Sequence, residues 1–284
     1  MVREGDVDVV TGDWLSEMNI AWNATVKAQE SGLGYQNGFL EQLSDCIEDV
    51  AANQIKVVTN AGALNPRALT KRVSALYESR DLSRMTVATV IGDDVTHLLK
   101  QNGERELNFS RLDDENVTIN GGCSNLNSCC AVAYIGAWGI FEAPSAGADA
   151  VICGRAASSP ASKNTFQITF DIGFPITEIQ LDGTFYVTKP ETKNGVVNKF
   201  NITAQLLYEL QGEQYLNPDV VADLSRIRVD GTPTPNRVYV SGITGHPSPA
   251  TTKVMIASTG GYQAEALYHV NGLDLEAKTQ MMRS

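Results

Sequence analysis

Polar side chains of the kinds that bind or react with small molecules follow the predicted strands in the first half of this 284-residue sequence. Four apolar runs each lead into one of them: residues 7–11 into Asp13, 57–59 into Asn60, 85–91 into Asp94 and 148–153 into Arg155. In open α/β sheets, ligands bind outside the carboxyl ends of the strands, beside such loops. The sequence therefore predicts a ligand site at that edge of a sheet.

Each acid in these loops has two interpretations. Asp93 and Asp94 are adjacent, so at most one of them would face a ligand, as a base, a metal ligand or a ribose partner. A helix cap beside a solvated acid also explains the pair. Asp13 and Glu17 are four residues apart at a helix start and can share one face. Helix capping and complementation of the helix dipole account for both as well.

The uncharged and basic candidate residues also have both a functional and a structural interpretation. Asn60 and Asn65 flank Gly62 in the loop after the second strand, where their amides can orient a carbonyl or carboxylate or support a turn. Arg155 follows a buried strand and suits a carboxylate or phosphate through two parallel hydrogen bonds, or else a salt bridge to a neighbouring acid. Tyr134 lies in an apolar run, which is typical of a core tyrosine whose hydroxyl has a partner.

No motif in the sequence identifies a metal or cofactor. The three histidines lie far apart, and the five cysteines match no zinc pattern, so we expect neither a structural zinc nor a bound cofactor. The thiols are expected to be reduced and structural, with Cys129 and Cys153 as alternative nucleophiles because they lie near predicted loops. The dinucleotide, phosphate-loop and nucleophile-elbow motifs are missing from the sequence.

The composition bounds the class of protein. The formal net charge is −11, which argues against nucleic-acid binding and against attraction to anionic membranes. Apolar residues make up 43% of the chain, yet no run of 18 or more apolar residues occurs, and the first residues lack the apolar core of a signal peptide. We therefore expect a cytoplasmic protein without a membrane segment.

The first half alternates apolar strands, small polar loops and helices. Helices are predicted over residues 15–28, with Asp13 as a possible cap, and over 39–53, 66–79 and 130–141, the last as a buried helix. Residues 101–127 are polar and predict a surface excursion. This order indicates an α/β fold with a mostly parallel sheet and flanking helices, similar to a Rossmann arrangement but without its dinucleotide fingerprint.

The pattern changes near residue 156. Residues 156–164 are rich in Ala, Ser and Pro and resemble a linker. Period-two alternation follows and predicts a hairpin about Asp182-Gly183, two strands within 227–243 and a last strand over 253–258, with helices over 203–211 and 273–282. We expect an α/β domain over 1–155 and a mixed α+β region with antiparallel hairpins over 156–284, packed on it.

The order of these segments resembles the acyclic terpene utilisation (AtuA-like) family. The matching stretches in the first half are GDWLSE (12–17), VVTNAGALNP (57–66), IGDD (91–94), AYIGAWGI (133–140) and AGADAVICGR (146–155). The second half adds GFPITEIQLDGTFYVTKP, TAQLLYELQGEQYLNPDVVADL, VSGITGHPSPATTKV and GLDLEAK. Their number and collinear order carry the resemblance, since no single motif is decisive.

The resemblance implies a cytosolic α/β protein that works beside acyl-CoA enzymes of terpenoid and branched-chain degradation. A lyase or hydratase reaction on a branched 3-hydroxyacyl-CoA or related carboxylate is the expectation. Asp94 or Glu17 would be the acid or base, with Asn60 beside them as a third catalytic candidate. The expected substrate-binding residues are Asn65, Asp13, Gly62, Tyr134 and Arg155, of which Arg155 would bind the anionic group.

The sequence also departs from the family pattern. Members carry a glycine-rich strand and loop ahead of the first matching stretch, and a further glycine-rich segment where residues 156–170 stand here. Those loops are candidates for binding a phosphate or carboxylate, and their loss would affect catalysis. Because both segments are missing here, our hypothesis is a shortened paralogue or an incomplete gene model. The alternative function is a non-catalytic subunit or scaffold that pairs with a partner chain through an exposed sheet edge. A homo-oligomer is expected in either case.

Overall fold

The computed structural model describes residues 2–3, 6–100, 110, 128–156, 173–210 and 212–258. Nearly all of the polar stretch 101–127, nearly all of the linker 156–164 and the terminal helix predicted over 273–282 lie outside the described residues. No helix among those described is both long enough and apolar enough to span a membrane.

A four-stranded parallel sheet forms the centre of the first half. Its elements in chain order are β1 (Val9–Gly12), α1 (Glu17–Gln29), α2 (Asn37–Ser44), α3 (Ile47–Ala52), β2 (Lys56–Thr59), α4 (Pro66–Ser79), β3 (Val87–Thr89), α5 (Thr96–Lys100), β4 (Ser128–Ala133), α6 (Trp138–Ser145) and β5 (Ala150–Ile152). The strand order is β1-β2-β5-β3, and every pair is parallel. The predicted parallel sheet with flanking helices is confirmed.

Local sequence explains where these helices begin and end. Helix α4 covers the predicted residues, with Pro66 at its start, where the missing N–H costs no hydrogen bond. Helix α1 is capped by Ser16, whose side chain accepts a hydrogen bond from the Asn19 amide, so the prediction of Asp13 as the cap is wrong. The helix predicted over 39–53 is two helices, α2 and α3, separated at Asp45 and Cys46.

The main core lies between the sheet and helices α2 to α4. Leu69 and Val73 from α4, Ile47 from α3 and Ile152 from β5 are all fully buried in one cluster. Burying each such side chain contributes roughly 1.5–3 kcal/mol to folding. This core fixes the sheet, and the sheet fixes the positions of the loops that follow its strands.

The predicted buried helix over residues 130–141 is wrong. The first part of that run is β4, which pairs antiparallel with β13 (Val254–Ser258), and only its end belongs to α6, in which no side chain is buried. A short apolar run does not distinguish a strand from a helix by periodicity. Residues 128–133 form a strand because they pair with β13, which lies about 120 residues further along the chain.

The second half is antiparallel. It contains β6 (Ile176–Ile179), β7 (Phe185–Thr188), α7 (Lys199–Glu209), β8 (Gln214–Leu216), β9 (Val220–Asp223), β10 (Arg228–Gly231), β11 (Val238–Ser241) and β12 (Thr244–Pro247). Two sheets form, with orders β10-β11-β7-β6 and β12-β9-β8. The hairpin about Asp182-Gly183 and the two strands within 227–243 are confirmed. Pairing of β13 with β4 joins this half to the first.

Gly62 lies where the loop after β2 approaches the end of β5. A Cβ atom there would lie 2.7 Å from the Cys153 carbonyl oxygen and 2.9 Å from both Ile152 Cγ2 and Pro66 Cα. The Gly62 amide also donates to the Cys153 carbonyl at 3.1 Å. Packing therefore requires glycine at this position, whatever the loop binds.

We expect Gly62→Ala to lower the free energy of unfolding by about 1–3 kcal/mol, because the backbone atoms around it cannot move aside without cost. Urea denaturation of the purified variant measures this. Gly32→Ala is the matched control, since a Cβ at Gly32 meets nothing within 4 Å. Equal stability of both variants would contradict the packing argument.

Candidate functional site

The carboxyl ends of the parallel strands bring several of the predicted residues to one edge. Asp13 follows β1 and accepts a hydrogen bond from the Asn60 side-chain nitrogen at 2.6 Å, just beyond β2. The Asn60 oxygen in turn accepts from the Trp14 amide at 2.8 Å. The two side chains thus link the ends of neighbouring strands.

Arg155 is buried at the same edge, with 4% of its surface exposed. Its Nη1 donates to the Leu15 carbonyl at 2.8 Å, and its Nη2 donates to the Tyr134 hydroxyl at 2.9 Å. The guanidinium carbon lies 4.4 Å from the centroid of the Tyr134 ring. Its Nε is buried and has no hydrogen-bond partner among the described residues. The guanidinium therefore orients protein groups before any ligand arrives.

Tyr134 connects Arg155 to Glu17. Its hydroxyl donates to Glu17 Oε1 at 2.9 Å, and the same carboxylate oxygen lies 3.7 Å from Arg155 Nη2. The Glu17 side chain, at the start of α1, is 57% exposed. We call these three residues the Glu17–Tyr134–Arg155 chain. It extends from a buried cation to an accessible carboxylate.

The environment of Glu17 keeps it ionised. Partial burial alone would raise its pKa, but a backbone hydrogen bond, the Tyr134 hydroxyl and the charges of Arg155 and Lys253 together lower the pKa of Glu17 below its ordinary value. A carboxylate in this state accepts a proton or a hydrogen bond at neutral pH. Glu17 is therefore in the ionised state that a base must have before reaction, and it is not available as a proton donor at neutral pH.

Asp94 has a different partner. Its Oδ2 lies 3.1 Å from Lys27 Nζ, and its Oδ1 accepts from the Thr96 amide at 3.1 Å. Lys27 also donates to the Leu64 carbonyl at 2.8 Å. Burial raises the pKa of Asp94, but the hydrogen bonds from Thr96 and Lys27 outweigh it, and the pKa is lowered. Asp94 is an ion-paired carboxylate outside the Glu17–Tyr134–Arg155 chain.

Asp93 points elsewhere and is only 2% exposed. Its Oδ2 accepts the backbone N–H of Arg155 at 2.9 Å. Burial, the largest cause, together with the charge of Asp94, raises the pKa of Asp93. Any side chain at Gly154 would collide with this carboxylate. Asp93 thus fixes the backbone that carries Arg155.

The Asn65 side chain binds the loop between α1 and α2. Its side-chain nitrogen donates to the carbonyls of Ser31 at 2.9 Å and Leu33 at 2.8 Å. The structure does not bring Asn65 into contact with the Glu17–Tyr134–Arg155 chain, and Gly62 contributes its backbone to the end of β5 as described above. Binding of substrate by either residue stays a prediction.

Lys253 is a residue of this group that the sequence did not indicate. Its ammonium lies 4.6 Å from the Tyr134 ring centroid, and its carbonyl accepts the Tyr134 amide at 2.9 Å. Lys253 directly precedes β13, in the second half of the chain, and no local motif marks it. Only the pairing of β13 with β4 brings it here.

Cys153 is not suited to nucleophilic chemistry. The residue is 2% exposed, and its thiol donates to the Thr59 carbonyl at 3.3 Å. Burial, followed by the charges of Asp93 and Asp13, raises the pKa of Cys153 to about 12. The side chain of Cys129 lies outside the described part of the chain. Within that part, no group of three or more His, Cys, Asp or Glu side chains could bind a metal ion.

The opposite pKa shifts of Asp93 and Asp94 predict opposite pH dependences. The pKa of Asp93 is raised in the folded protein, so the unfolded chain loses this proton first, above a pH of about 3.9. The free energy of unfolding therefore falls as the pH rises from that value. Asp93→Asn should therefore gain in melting temperature relative to the wild type as the pH rises from about 4 toward neutral. The asparagine oxygen still accepts the Arg155 N–H.

Asp94→Asn is the matched control for this experiment. The lowered pKa of Asp94 contributes stability above about 3.9 that is lost as the pH falls through the folded-state value. That variant should be less stable than the wild type at neutral pH, with the difference shrinking in acid. A loss of stability in Asp93→Asn that grows with pH would contradict the assignment of a buried, costly charge.

Comparison with known proteins supports the family resemblance. The model of the acyclic terpene utilisation family protein AtuA matches residues 1–162 and residues 158–284, so that the two stretches together span the chain. They meet close to the place where the resemblance implies a missing segment. Comparisons with curated proteins and with solved structures gave no match. On the strength of the family match, the chain belongs to the acyclic terpene utilisation family AtuA.

Proposed function

We propose that this protein is a lyase or hydratase that acts on a branched acyl-CoA, such as a 3-hydroxyacyl-CoA, or on a related branched carboxylate. Membership of the acyclic terpene utilisation family supports a role in that metabolism. The observation that carries the reaction class is the Glu17–Tyr134–Arg155 chain, which presents an ionised and accessible carboxylate at the carboxyl edge of the sheet.

Glu17 is the base in this proposal. In a hydratase, a base removes the proton next to the thioester carbonyl and returns it to the departing 3-hydroxyl, which leaves as water. In a lyase, the base removes the hydroxyl proton, the hydroxyl carbon becomes a carbonyl as the carbon–carbon bond breaks, and the thioester enolate that is released takes the proton back at its α-carbon. Both reactions need a carboxylate that is ionised in the free protein and open to the substrate, and Glu17 combines a lowered pKa with 57% exposure of its side chain.

Tyr134 and Arg155 orient the base. Arg155 Nη2 donates to the Tyr134 oxygen, so the phenolic hydrogen is directed to Glu17. Because Arg155 is buried and also bound to the Leu15 carbonyl, it has little freedom to move. A base whose partners are fixed in this way needs less reorganisation when the substrate binds.

The second candidate function is a non-catalytic subunit or scaffold. Two observations favour it. β1 and β3 end the parallel sheet, each paired with a single strand among the described residues. On α6, Trp138 and Phe141 are largely exposed. Exposed edges and apolar side chains promote association with another chain. Light scattering would show a stable oligomer if this function is correct, and a monodisperse monomer would count strongly against it.

For the enzyme proposal, we expect a branched acyl-CoA to raise the melting temperature of the wild-type protein, since binding stabilises the folded state by mass action. Glu17→Gln should keep most of this shift but lower kcat by at least about 100-fold, because it removes the base. Glu30→Gln, at the exposed end of the same helix, is the matched control and should change neither quantity. The proposal fails if no acyl-CoA or branched carboxylate at millimolar concentration shifts the wild-type melting temperature.

A further inference from the structure

Among the residues that the structure describes, Lys27, Arg155 and Lys253 are cations close to the acids of this site, and the first two are bound to other protein groups. Lys27 is paired with Asp94 at 3.1 Å and also donates to the Leu64 carbonyl. Arg155 is 4% exposed and donates to Leu15 and Tyr134. Neither is placed to receive the charge of a ligand that arrives from solvent.

Lys253 is the third cation, and it is an exposed residue. Within the part of the chain that the structure describes, its ammonium lies 4.6 Å from the centroid of the Tyr134 ring and forms no ion pair or hydrogen bond. It is nevertheless close enough to help lower the pKa of Glu17. Lys253 is therefore an exposed positive charge close to the candidate base.

The backbone around Lys253 is well fixed. Its carbonyl accepts the Tyr134 amide, the Thr252 hydroxyl donates to the Tyr134 carbonyl at 2.6 Å, and the next residue begins β13 opposite Ala133. The lysine ammonium is a point charge on a flexible side chain, here attached to a fixed backbone. Such a group suits a carboxylate or a phosphate. In a protein with a net charge of −11, it is also a local exception to a surface that repels anions.

We propose that Lys253 binds the anionic group of the substrate and so places the acyl portion against Glu17 and Tyr134. This inference rests on the proposed function for the identity of the acyl portion. It assigns the direct anion contact to Lys253, from the second half of the chain, and leaves Arg155 as a positioning residue. The anion is a carboxylate of the acyl group or a phosphate of the CoA.

The test measures binding to the full chain and to three variants. Lys253→Met keeps the length of the stem and its packing on Tyr134 but removes the charge, whereas Lys253→Arg keeps a charge. Lys71→Met, on the exposed face of α4, is the matched control. The probes are isovaleryl-CoA, free isovalerate, inorganic phosphate and the uncharged N-acetylcysteamine thioester of isovalerate. Thermal shift and calorimetry are run at low and high NaCl.

We expect the anionic probes that bind the wild type to lose about ten- to a hundredfold in affinity in Lys253→Met, the range for a hydrogen bond to a charged group. Lys253→Arg should restore most of the affinity, and Lys71→Met should match the wild type. Binding should weaken with added salt, because an exposed charge contact is screened. Binding of isovalerate would identify the carboxylate as the anion, and binding of phosphate and the CoA ester without isovalerate would identify the phosphate.

The remaining outcomes separate this inference from the proposed function. If isovaleryl-CoA binds Lys253→Met as tightly as the wild type, the role of Lys253 is overturned while the proposed function stands. If isovalerate or phosphate binds through Lys253 but neither thioester binds, the inference stands without a CoA substrate. If only the uncharged thioester binds, or no probe binds, the role of Lys253 is overturned.

Discussion

The buried guanidinium of Arg155 is the interaction on which the candidate site depends. Through its side chain it binds the Leu15 carbonyl ahead of α1 and the Tyr134 hydroxyl after β4. Its backbone N–H donates to Asp93, and its carbonyl accepts the Ile135 amide. A buried charge is costly unless its hydrogen bonds are made. The segments around it are therefore constrained to the positions that supply those bonds, and together they define the edge at which Glu17 is exposed.

The three acids around Arg155 differ in burial and in the direction in which their pKa values are shifted. Asp93 lies inside, against the Arg155 backbone, and burial raises its pKa. Asp94, its neighbour in sequence, is turned toward Lys27, and its hydrogen bonds outweigh burial to lower its pKa. Glu17 is the most accessible of the three, with a lowered pKa maintained by Tyr134 and nearby cations. Of the three acids, Glu17 is thus the ionised carboxylate whose side chain stays more than half exposed, although it also pairs with the buried Arg155.

The sequence predicted the parts of this arrangement that depend on local pattern. The parallel sheet, helix α4 and the hairpin about Asp182-Gly183 have strong periodicity or clear turn residues, and all are confirmed. The same alternation of apolar strands and polar loops predicted that polar residues lie at the ends of the strands. The antiparallel strand β4 could not be predicted in this way, because a short apolar run becomes a strand only when a distant partner such as β13 pairs with it.

The details of the site depend on the same distant contacts. That Arg155 follows a strand is visible in the sequence, but its burial depends on Leu15 and Tyr134, which lie far from it along the chain. The cap of α1 was assigned to Asp13 because aspartate is a common capping residue, whereas the Ser16 hydroxyl reaches the Asn19 amide. Lys253 begins the strand predicted over 253–258, but nothing in the sequence places it beside Tyr134 until β13 pairs with β4.

The second half of the chain is therefore a structural part of the site rather than an appendage to it. Thr252 and Lys253 hydrogen-bond both backbone groups of Tyr134. A few residues further on, the Asp219 carboxylate accepts the amides of Ala137 and Trp138 at the start of α6, where a negative charge complements the helix dipole. Gly136 lies against the same carboxylate, and any side chain there would collide with it. The segment that carries Tyr134 is thus held by the second half on both sides, while the Ile135 amide joins the same segment to the Arg155 carbonyl at the end of β5, so the position of Tyr134 beside Glu17 depends on both halves of the chain.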